Sequence, residues 1–286
     1  MTYTTLVSAT TLHQHINDPK WIVVDCSFSL ANSDAGGYAY RHGHIPYARY
    51  AHLNKDLSSA ITGFTGRHPL PDFTLLAKKL GAWGIANDSQ VVVYDDAGGM
   101  FASRLWWLLR FFGHDQVAVL NGGIQHWQKQ GFSLTTTLPT INHATFRPYL
   151  NTVHWLNASQ VQNNLARKAI CLIDARTPER YRGEQEPIDP VAGHIPGALN
   201  RPFKLNIDSN GLFLPADSLR NQFKKLIGTT APEQVVHYCG SGVTACHNLL
   251  AMEHSGLTGS KLYAGSCSEW IRDKNRGIAT GCAKVN

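Results

Sequence analysis

Short runs of β-branched and aliphatic residues alternate along this chain with segments whose apolar residues recur at helical spacing. The short runs include WIVVD (21–25), VVVY (91–94), CLID (171–174) and VVHY (235–238). Their length and composition are typical of buried strands. Segments such as FTLLAKKLGAWG (73–84) and SLRNQFKKLIGT (218–229) show the helical spacing. This alternation predicts an α/β fold in which mainly parallel sheets carry helices on both faces.

The two halves of the chain resemble each other. Four landmarks recur in the same order, and the paired positions are Asp25 and Asp174, His44 and His194, 91–99 and 235–243, and Trp127 and Trp270. The offset of about 143 to 150 residues is far too long for a solenoid and indicates a duplicated domain. We therefore expect domains at 1–138 and 152–286, joined by a linker at about 139–151 that is rich in Thr, Pro and Asn.

Cys239 stands between the apolar run VVHY and the glycine-spaced turn that precedes a helical pattern. A cysteine at such a turn lies above free backbone N–H groups and the positive end of a helix dipole. Both favour an anion, so the turn is suited to a thiolate or to a sulfur anion formed from it. The alternative is a buried structural cysteine at the end of a strand.

Aligning the two halves places Asp95 where the second half has Cys239. A core position would hold similar apolar residues in both copies. A nucleophile in one copy and a carboxylate in the other instead predict one active domain, the second, and one without the chemistry. By the same reasoning, landmarks that recur in both halves are expected to have structural roles in turns or the core.

Composition narrows the classes of function. The net charge of +6 comes from 26 basic and 20 acidic residues without a dense Lys/Arg run, which favours small anionic substrates over nucleic acid. None of the six cysteines forms a C-x-x-C pair, so the chain has neither a zinc knuckle nor a thioredoxin-type redox motif. Nothing else in the sequence implies a cofactor, so we expect no metal and no organic cofactor. No apolar run approaches the roughly 18 residues of a membrane span, and the first residues lack a secretory pattern, so we expect a cytoplasmic location and no membrane partner.

Three kinds of cysteine chemistry compete at Cys239. A phosphatase or arsenate reductase of the C-x5-R kind needs an arginine where this chain has Ala245. A cysteine protease needs a general-base histidine, but the strand–loop–helix setting and the duplication fit that class poorly. Sulfur transfer needs a thiolate that attacks a sulfane sulfur and a loop that stabilises the resulting persulfide.

The chain resembles the tandem-domain rhodaneses, the thiosulfate and 3-mercaptopyruvate sulfurtransferases, over essentially its whole length. The motifs that carry the resemblance are DARTPERYRG (174–183), GHIPGALN (193–200), YCGSGVTA (238–245) and YAGSCSEW (263–270). It implies two tandem rhodanese-like domains, an inactive first one and a second with a catalytic Cys239. The persulfide-stabilising loop would then consist of Gly240, Ser241, Gly242, Val243 and Thr244.

The resemblance leaves the donor open between 3-mercaptopyruvate and thiosulfate. Gly240 and Ser241 match relatives that favour mercaptopyruvate, whereas relatives that favour thiosulfate tend to carry basic residues there. Arg180 matches an arginine that faces the donor's anionic end, and its alternative role is a surface salt bridge. The mercaptopyruvate subgroup usually has a second arginine where this chain has Ile188 and Asp189.

A Ser–His–Asp relay is also implied by the resemblance, with Ser241 and His68 matching two members. The aspartate falls on or near Asn54, with Asp56 as the neighbouring alternative. Because an amide does not stabilise a charged histidine as a carboxylate does, we expect His68 to orient or donate a hydrogen bond. The alternative for His68 is an interdomain contact.

The acceptor also stays open among cyanide, a small thiol and a thioredoxin-like protein. A persulfide carrier or sensor that acts through partner binding is the alternative to an enzyme. Of the other cysteines, Cys246 follows Cys239 by seven residues, so we expect it to pack in the helix, with a redox role as the alternative.

Overall fold

The computed structural model describes residues 2–282 and consists of two compact units. The first unit comprises residues 2–59, Leu70–Asn151 and Asp208–Phe213. The second comprises Ala60–Pro69, Thr152–Ile207 and residues 214–282. Residues 60–69 therefore belong to the second unit although they come from the first half of the sequence. Residues 139–151, where the sequence suggests a linker, belong to the first unit.

The first unit is built on a five-stranded parallel sheet. Its strands are β1 (Leu6–Val7), β2 (Trp21–Asp25), β3 (Arg49–Tyr50), β4 (Gln90–Tyr94) and β5 (Val117–Leu120). They lie in the order β1-β5-β4-β2-β3, and every pair is parallel. Its helices are α1 (Ala9–Gln14), α2 (Ala35–His42), α3 (Phe73–Ala82), α4 (Ala102–Phe111) and α5 (Gly123–Lys129). The amphipathic segment at 73–84 thus forms α3, which begins where the Asp72 side chain accepts the Leu75 N–H.

The second unit repeats this plan. Its strands are β6 (Cys171–Asp174), β7 (Leu199–Asn200), β8 (Val235–Tyr238) and β9 (Lys261–Leu262), in the parallel order β7-β6-β8-β9. Trp155 makes a further parallel bridge to Leu262, at the edge of the sheet that corresponds to β1 in the first unit. Its α-helices are α6 (Ala158–Ala166), α7 (Pro178–Arg182), α8 (Ala216–Ile227), α9 (Thr244–His254) and α10 (Ser266–Trp270). Up to residue 282 it also contains three short 3-10 helices, at Thr152–His154, Phe203–Asn206 and Pro232–Gln234.

Each unit has its own apolar core. The first contains Val23, Val92 and Trp127, and the second contains Leu172, Val236 and Trp270. The central strands β2, β4 and β8 are buried along their whole length. Such continuous burial is expected of parallel strands, and it explains why these strands are apolar runs rather than alternating patterns. The α/β fold predicted from the sequence, with a parallel sheet in each half, is confirmed.

Candidate active site

Cys239 lies at the carboxyl end of β8, where the five residues 239–243 lead into α9; Thr244, expected as the last residue of the loop, is the first residue of that helix. This is the edge at which open parallel sheets gather reactive groups. Its thiol accepts the Gly242 N–H at 3.1 Å, and the Cys239 N–H donates to Ser266 Oγ at 3.0 Å. Only 2% of the residue is exposed. The loop therefore curls around the sulfur and presents the Gly242 N–H to it.

Gly242 allows this curl. Its φ is +77°, a left-handed conformation that other residues adopt only with strain. A Cβ built at this glycine would lie 2.2 Å from the Ala264 carbonyl oxygen. The loop is thus packed directly against the segment that enters α10, and residue 242 must lack a side chain.

The corresponding loop of the first unit shows what such a loop binds. Asp95 follows β4 as Cys239 follows β8, and its carboxylate is completely buried. The carboxylate oxygens accept hydrogen bonds of 2.7–2.8 Å from four backbone N–H groups, those of Ala97, Gly99, Phe101 and Ala102. A strand–loop–helix turn of this kind is therefore an anion cradle. In the first unit the anion is the chain's own carboxylate.

Arg180 projects from α7 toward the cysteine loop. Its terminal nitrogens Nη2 and Nη1 lie 3.5 and 3.6 Å from the position of a Cβ on Gly240. The guanidinium binds both carboxylate oxygens of Glu186, at 2.6 Å through Nη2 and 3.1 Å through Nε. Burial opposes ionisation of Glu186, but the hydrogen bond from Arg180 and the backbone N–H of Asp189 outweigh it and lower the pKa of this carboxyl. Arg180 thus makes an ion pair, which was the alternative role considered from the sequence. Its side chain is only 17% exposed, and the pair lies beside the loop rather than on the open surface.

His68 and Ser241 lie together, as the resemblance implied. His68 Nδ1 is 2.7 Å from Ser241 Oγ, and both residues are buried. His68 belongs to the segment Ala60–Pro69, which packs within the second unit, so this contact is internal to that unit. Whether the pair assists the chemistry stays a prediction.

Asn54 and Asp56, the two candidates for the aspartate position of the relay, belong to the first unit. The Asn54 N–H donates to His52 Nδ1 at 3.1 Å. The Asp56 carboxylate accepts the His52 N–H at 2.8 Å and pairs with Lys79 at 2.8 Å. Asp56 therefore has a local structural role, and the third member of the relay stays a prediction.

Sequence reasoning missed Arg67. Its guanidinium forms a two-pronged ion pair with Asp189, at 2.9 Å through Nε and 3.2 Å through Nη2. The Arg67 N–H donates to Ser268 Oγ at 3.0 Å. The available signal was its position directly before His68 in GRHPLP, but its proximity to the loop depends on a contact across 122 residues. Asp189 is one of the two residues, with Ile188, at which the resemblance led us to expect a second arginine.

The aspartates and histidines that recur in both halves have the structural roles predicted from the repeat. Asp25 and Asp174 each accept the N–H two residues ahead, at 2.8 and 2.9 Å. His44 and His194 each contact a backbone carbonyl through Nδ1 and stack on a tyrosine ring. Asp174 also forms a buried ion pair with Arg176 at 2.7 Å, which the sequence did not reveal.

Burial raises the pKa of the buried thiols of Cys26 and Cys267 and of the half-buried thiol of Cys171. These three thiols therefore carry little of the reactive thiolate. Cys246 is buried in α9, where its S–H donates to the Gly242 carbonyl at 3.3 Å, so it packs against the loop as expected. Cys239 and Cys267 are free thiols, and Cys267 donates its N–H to the Cys239 carbonyl at 3.0 Å.

Between residues 2 and 282, no group of three or more His, Cys, Asp or Glu side chains is arranged to hold a metal ion. Within the same residues, no helix has the length and apolar character needed to cross a bilayer.

Comparison with known proteins gives concordant matches along the whole chain. Residues 8–130 and 157–273 each match the rhodanese-like domain family. A probable 3-mercaptopyruvate sulfurtransferase of Pseudomonas aeruginosa is 45% identical over 278 residues, covering 96% of this chain and 98% of that protein. The thiosulfate sulfurtransferase of Rattus norvegicus is 34% identical over 282 residues, covering 94% of this chain and 93% of that protein.

Solved structures give the same picture. The 3-mercaptopyruvate sulfurtransferase from Leishmania major superposes with a TM-score of 0.81 at 28% identity, covering 93% of this chain and 74% of that one. SseA from Escherichia coli, described as a 3-mercaptopyruvate sulfotransferase with the rhodanese fold, superposes with a TM-score of 0.80 at 29% identity. That match covers 93% of this chain and all of SseA.

Proposed function

Because this chain belongs to the rhodanese family of sulfurtransferases, we propose that it moves the sulfur of 3-mercaptopyruvate to a thiophilic acceptor through a persulfide on Cys239. Thiosulfate is the second donor to consider. The proposal combines the position of Cys239, the basic groups beside its loop and the 45% identity to a protein named for mercaptopyruvate.

The proposed reaction has two halves. In the first, the Cys239 thiolate attacks the mercaptopyruvate sulfur, a bond forms between the two sulfurs, and the carbon–sulfur bond breaks. Its electron pair leaves on carbon as the enolate of pyruvate, which takes up a proton. In the second, a nucleophile such as cyanide attacks the outer sulfur, the sulfur–sulfur bond breaks, and the Cys239 thiolate returns with release of thiocyanate. No net oxidation or reduction of the enzyme occurs over the cycle.

The observation that carries the proposal is the anion cradle. The first-unit loop surrounds the Asp95 carboxylate with four backbone N–H groups, and the second-unit loop has the same strand–loop–helix placement with a sulfur in that position. A loop of this design stabilises the thiolate before transfer and the persulfide anion after it, without a charged residue of its own. Arg180 would bind the donor's carboxylate at the loop's rim, since guanidinium pairs well with planar anions.

His68 and Ser241 are placed to assist proton movement in this scheme. Ser241 follows the nucleophile by two residues, and its Oγ lies 2.7 Å from His68 Nδ1. We propose that Ser241 donates to the donor's carbonyl side and that His68 orients the hydroxyl.

The physiological acceptor is cyanide, a small thiol or a thioredoxin-like protein. A persulfide carrier or sensor, which forms the persulfide but releases it only to a bound partner, is the alternative function. Turnover with a small donor and a small acceptor separates the two.

The test is steady-state sulfur transfer to cyanide from 3-mercaptopyruvate and from thiosulfate, with Cys239→Ser in parallel. We expect turnover with a preference for mercaptopyruvate in the wild type and none in the variant. Intact-mass measurement after donor addition should show one added sulfur atom on the wild type only. Persulfide formation without turnover would favour the carrier. Equal transfer by wild type and variant would contradict the role of Cys239.

A further inference from the structure

We infer that Arg67 forms, together with Arg180, a two-guanidinium site for the donor's carboxylate, and that Asp189 positions Arg67 for this purpose. The inference rests on the proposed function, because it assigns donor-binding residues to the Cys239 site. It adds a specificity-determining residue from a segment far away in sequence, Ala60–Pro69.

Both guanidinium groups lie over the residue that follows the nucleophile. A Cβ built on Gly240 would be 2.7 Å from Arg67 Nη2 and 3.5 Å from Arg180 Nη2. Any side chain at position 240 would therefore push against Arg67 first. Two cationic groups thus lie beside this glycine, which directly follows Cys239 in the chain.

Each guanidinium retains hydrogen-bonding capacity for a ligand. Arg67 and Arg180 both use Nε and Nη2 to bind a carboxylate, that of Asp189 and that of Glu186 respectively. Among the described residues, neither Nη1 donates a hydrogen bond to a protein group. Arg180 Nη1 lies 3.6 Å from the position of a Cβ on Gly240, and guanidinium groups with N–H donors to spare are suited to binding a carboxylate.

Asp189 holds this arrangement. Its side chain is 3% exposed, and its two oxygens take the two prongs of Arg67. Its Oδ2 is also 3.5 Å from Arg180 Nη2, so one carboxylate links both guanidinium groups. A buried carboxylate between two arginines offsets their mutual repulsion and fixes the direction in which their free nitrogens point.

The backbone of Arg67 is fixed to the loop as well. Ser268 Oγ accepts the Arg67 N–H at 3.0 Å, and the Ser268 N–H donates to the Gly240 carbonyl at 2.9 Å. Gly66 makes the approach possible, because a Cβ there would lie 2.6 Å from the Gly265 carbonyl oxygen. Arg67 is thus built into the wall of the site rather than resting on its surface.

The test compares donors that differ only in the carboxylate. Steady-state transfer is measured for wild type and Arg67→Gln with 3-mercaptopyruvate and with mercaptoacetone, in which a methyl group replaces the carboxylate. A hydrogen bond to a charged group contributes enough for kcat/KM on mercaptopyruvate to fall about 10- to 100-fold, mainly through KM. With mercaptoacetone we expect a change of less than about threefold, because a neutral donor gains nothing from Arg67.

Companion variants separate binding from structure. Arg67→Lys keeps the charge without the planar fork and should recover part of the loss. Asp189→Asn should raise KM for mercaptopyruvate in the same direction but by less. The matched control is Arg182→Gln. Arg182 lies on α7, as Arg180 does, but its guanidinium pairs with Glu184 rather than with a group beside Gly240. This variant should have the wild-type kcat/KM with both donors.

A binding measurement makes the inference independent of turnover. Pyruvate has the carboxylate without the sulfur, and its affinity can be measured by calorimetry on wild type and Arg67→Gln. We expect at least about tenfold weaker binding by the variant. Equal pyruvate affinities, or an equal loss of kcat/KM on both donors, would overturn the inference. If the wild type turned over neither donor, the proposed function would fail, and a pyruvate difference would still support the two-arginine site.

Discussion

Replacing Gly242 with alanine tests whether the cysteine loop depends on its left-handed turn. At φ +77° an alanine is strained by roughly 1–2 kcal/mol. Its Cβ would also lie 2.2 Å from the Ala264 carbonyl oxygen, so the loop or the segment before α10 must move by about 1 Å. Such overpacking typically costs about 1–3 kcal/mol. We therefore expect the second unit to lose about 2–5 kcal/mol of its free energy of unfolding.

Gly240→Ala is the matched control for this substitution. Gly240 does not have a positive φ, and its nearest neighbour is the far end of the Arg67 side chain rather than backbone. Its stability should change by less than about 1 kcal/mol. Its KM for mercaptopyruvate should nevertheless rise, because Arg67 is displaced.

The assay is urea unfolding followed by tryptophan fluorescence, together with persulfide formation measured by intact mass. Gly242→Ala should unfold at lower urea and load sulfur slowly, because moving the loop lengthens the 3.1 Å contact between the Gly242 N–H and the Cys239 sulfur. Gly240→Ala should unfold at the wild-type midpoint. A Gly242→Ala protein with wild-type stability and wild-type loading would refute the reasoning.

Three further predictions concern buried polar groups. Burial lowers the pKa of His237 to about 3, so the unfolded chain binds a proton there below pH about 6.5 while the folded chain does not. The free energy of unfolding therefore falls as the pH drops from about 6.5 toward 3. Between pH 7 and pH 5 the wild type should lose about 2 kcal/mol of this free energy that His237→Leu does not lose, as measured by urea unfolding. An equal loss in both proteins would contradict the prediction. Asp95→Asn leaves two backbone N–H groups facing an amide NH2 and should lower the free energy of unfolding by about 2–4 kcal/mol, whereas an unchanged urea midpoint would argue against a charged cradle. His68→Asn can keep a hydrogen bond to Ser241 and should retain more kcat on mercaptopyruvate than His68→Phe; equal losses would mean that the imidazole ring itself is required.

The sequence indicated those features that depend on local pattern. The apolar runs at 21–25 and 235–238 correspond to β2 and β8, because strands buried on both faces are continuous apolar segments. The position of Cys239 followed from the same logic, since it comes directly after one of these strands. Its pairing with Asp95 followed from the repeat.

Contacts between distant irregular segments were not predictable in this way. The segment 60–69 has no periodic pattern, so nothing in it indicated that Arg67 would lie over Gly240. In the sequence, Asp189 was notable only because an arginine was expected at or beside it. Its ion pair with Arg67 is seen only in the structure. Long-range placement of loops depends on the packing of the whole unit, which single residues do not encode.

The Asp95 loop has a consequence for how the two copies of the fold respond to their surroundings. A ligand attached to its own binding loop is present at very high effective concentration, so free sulfur anions do not displace it. The Asp95 carboxylate thus stays in the first loop, whereas in the proposed mechanism the second loop changes its occupant at every turnover. Amide hydrogen exchange at 97–102 should therefore be the same in the resting and persulfidated protein, and exchange at 240–244 should slow when sulfur is loaded. On the proposed function the first copy takes no part in sulfur transfer, so its loop serves as an internal reference for the loop of the second copy.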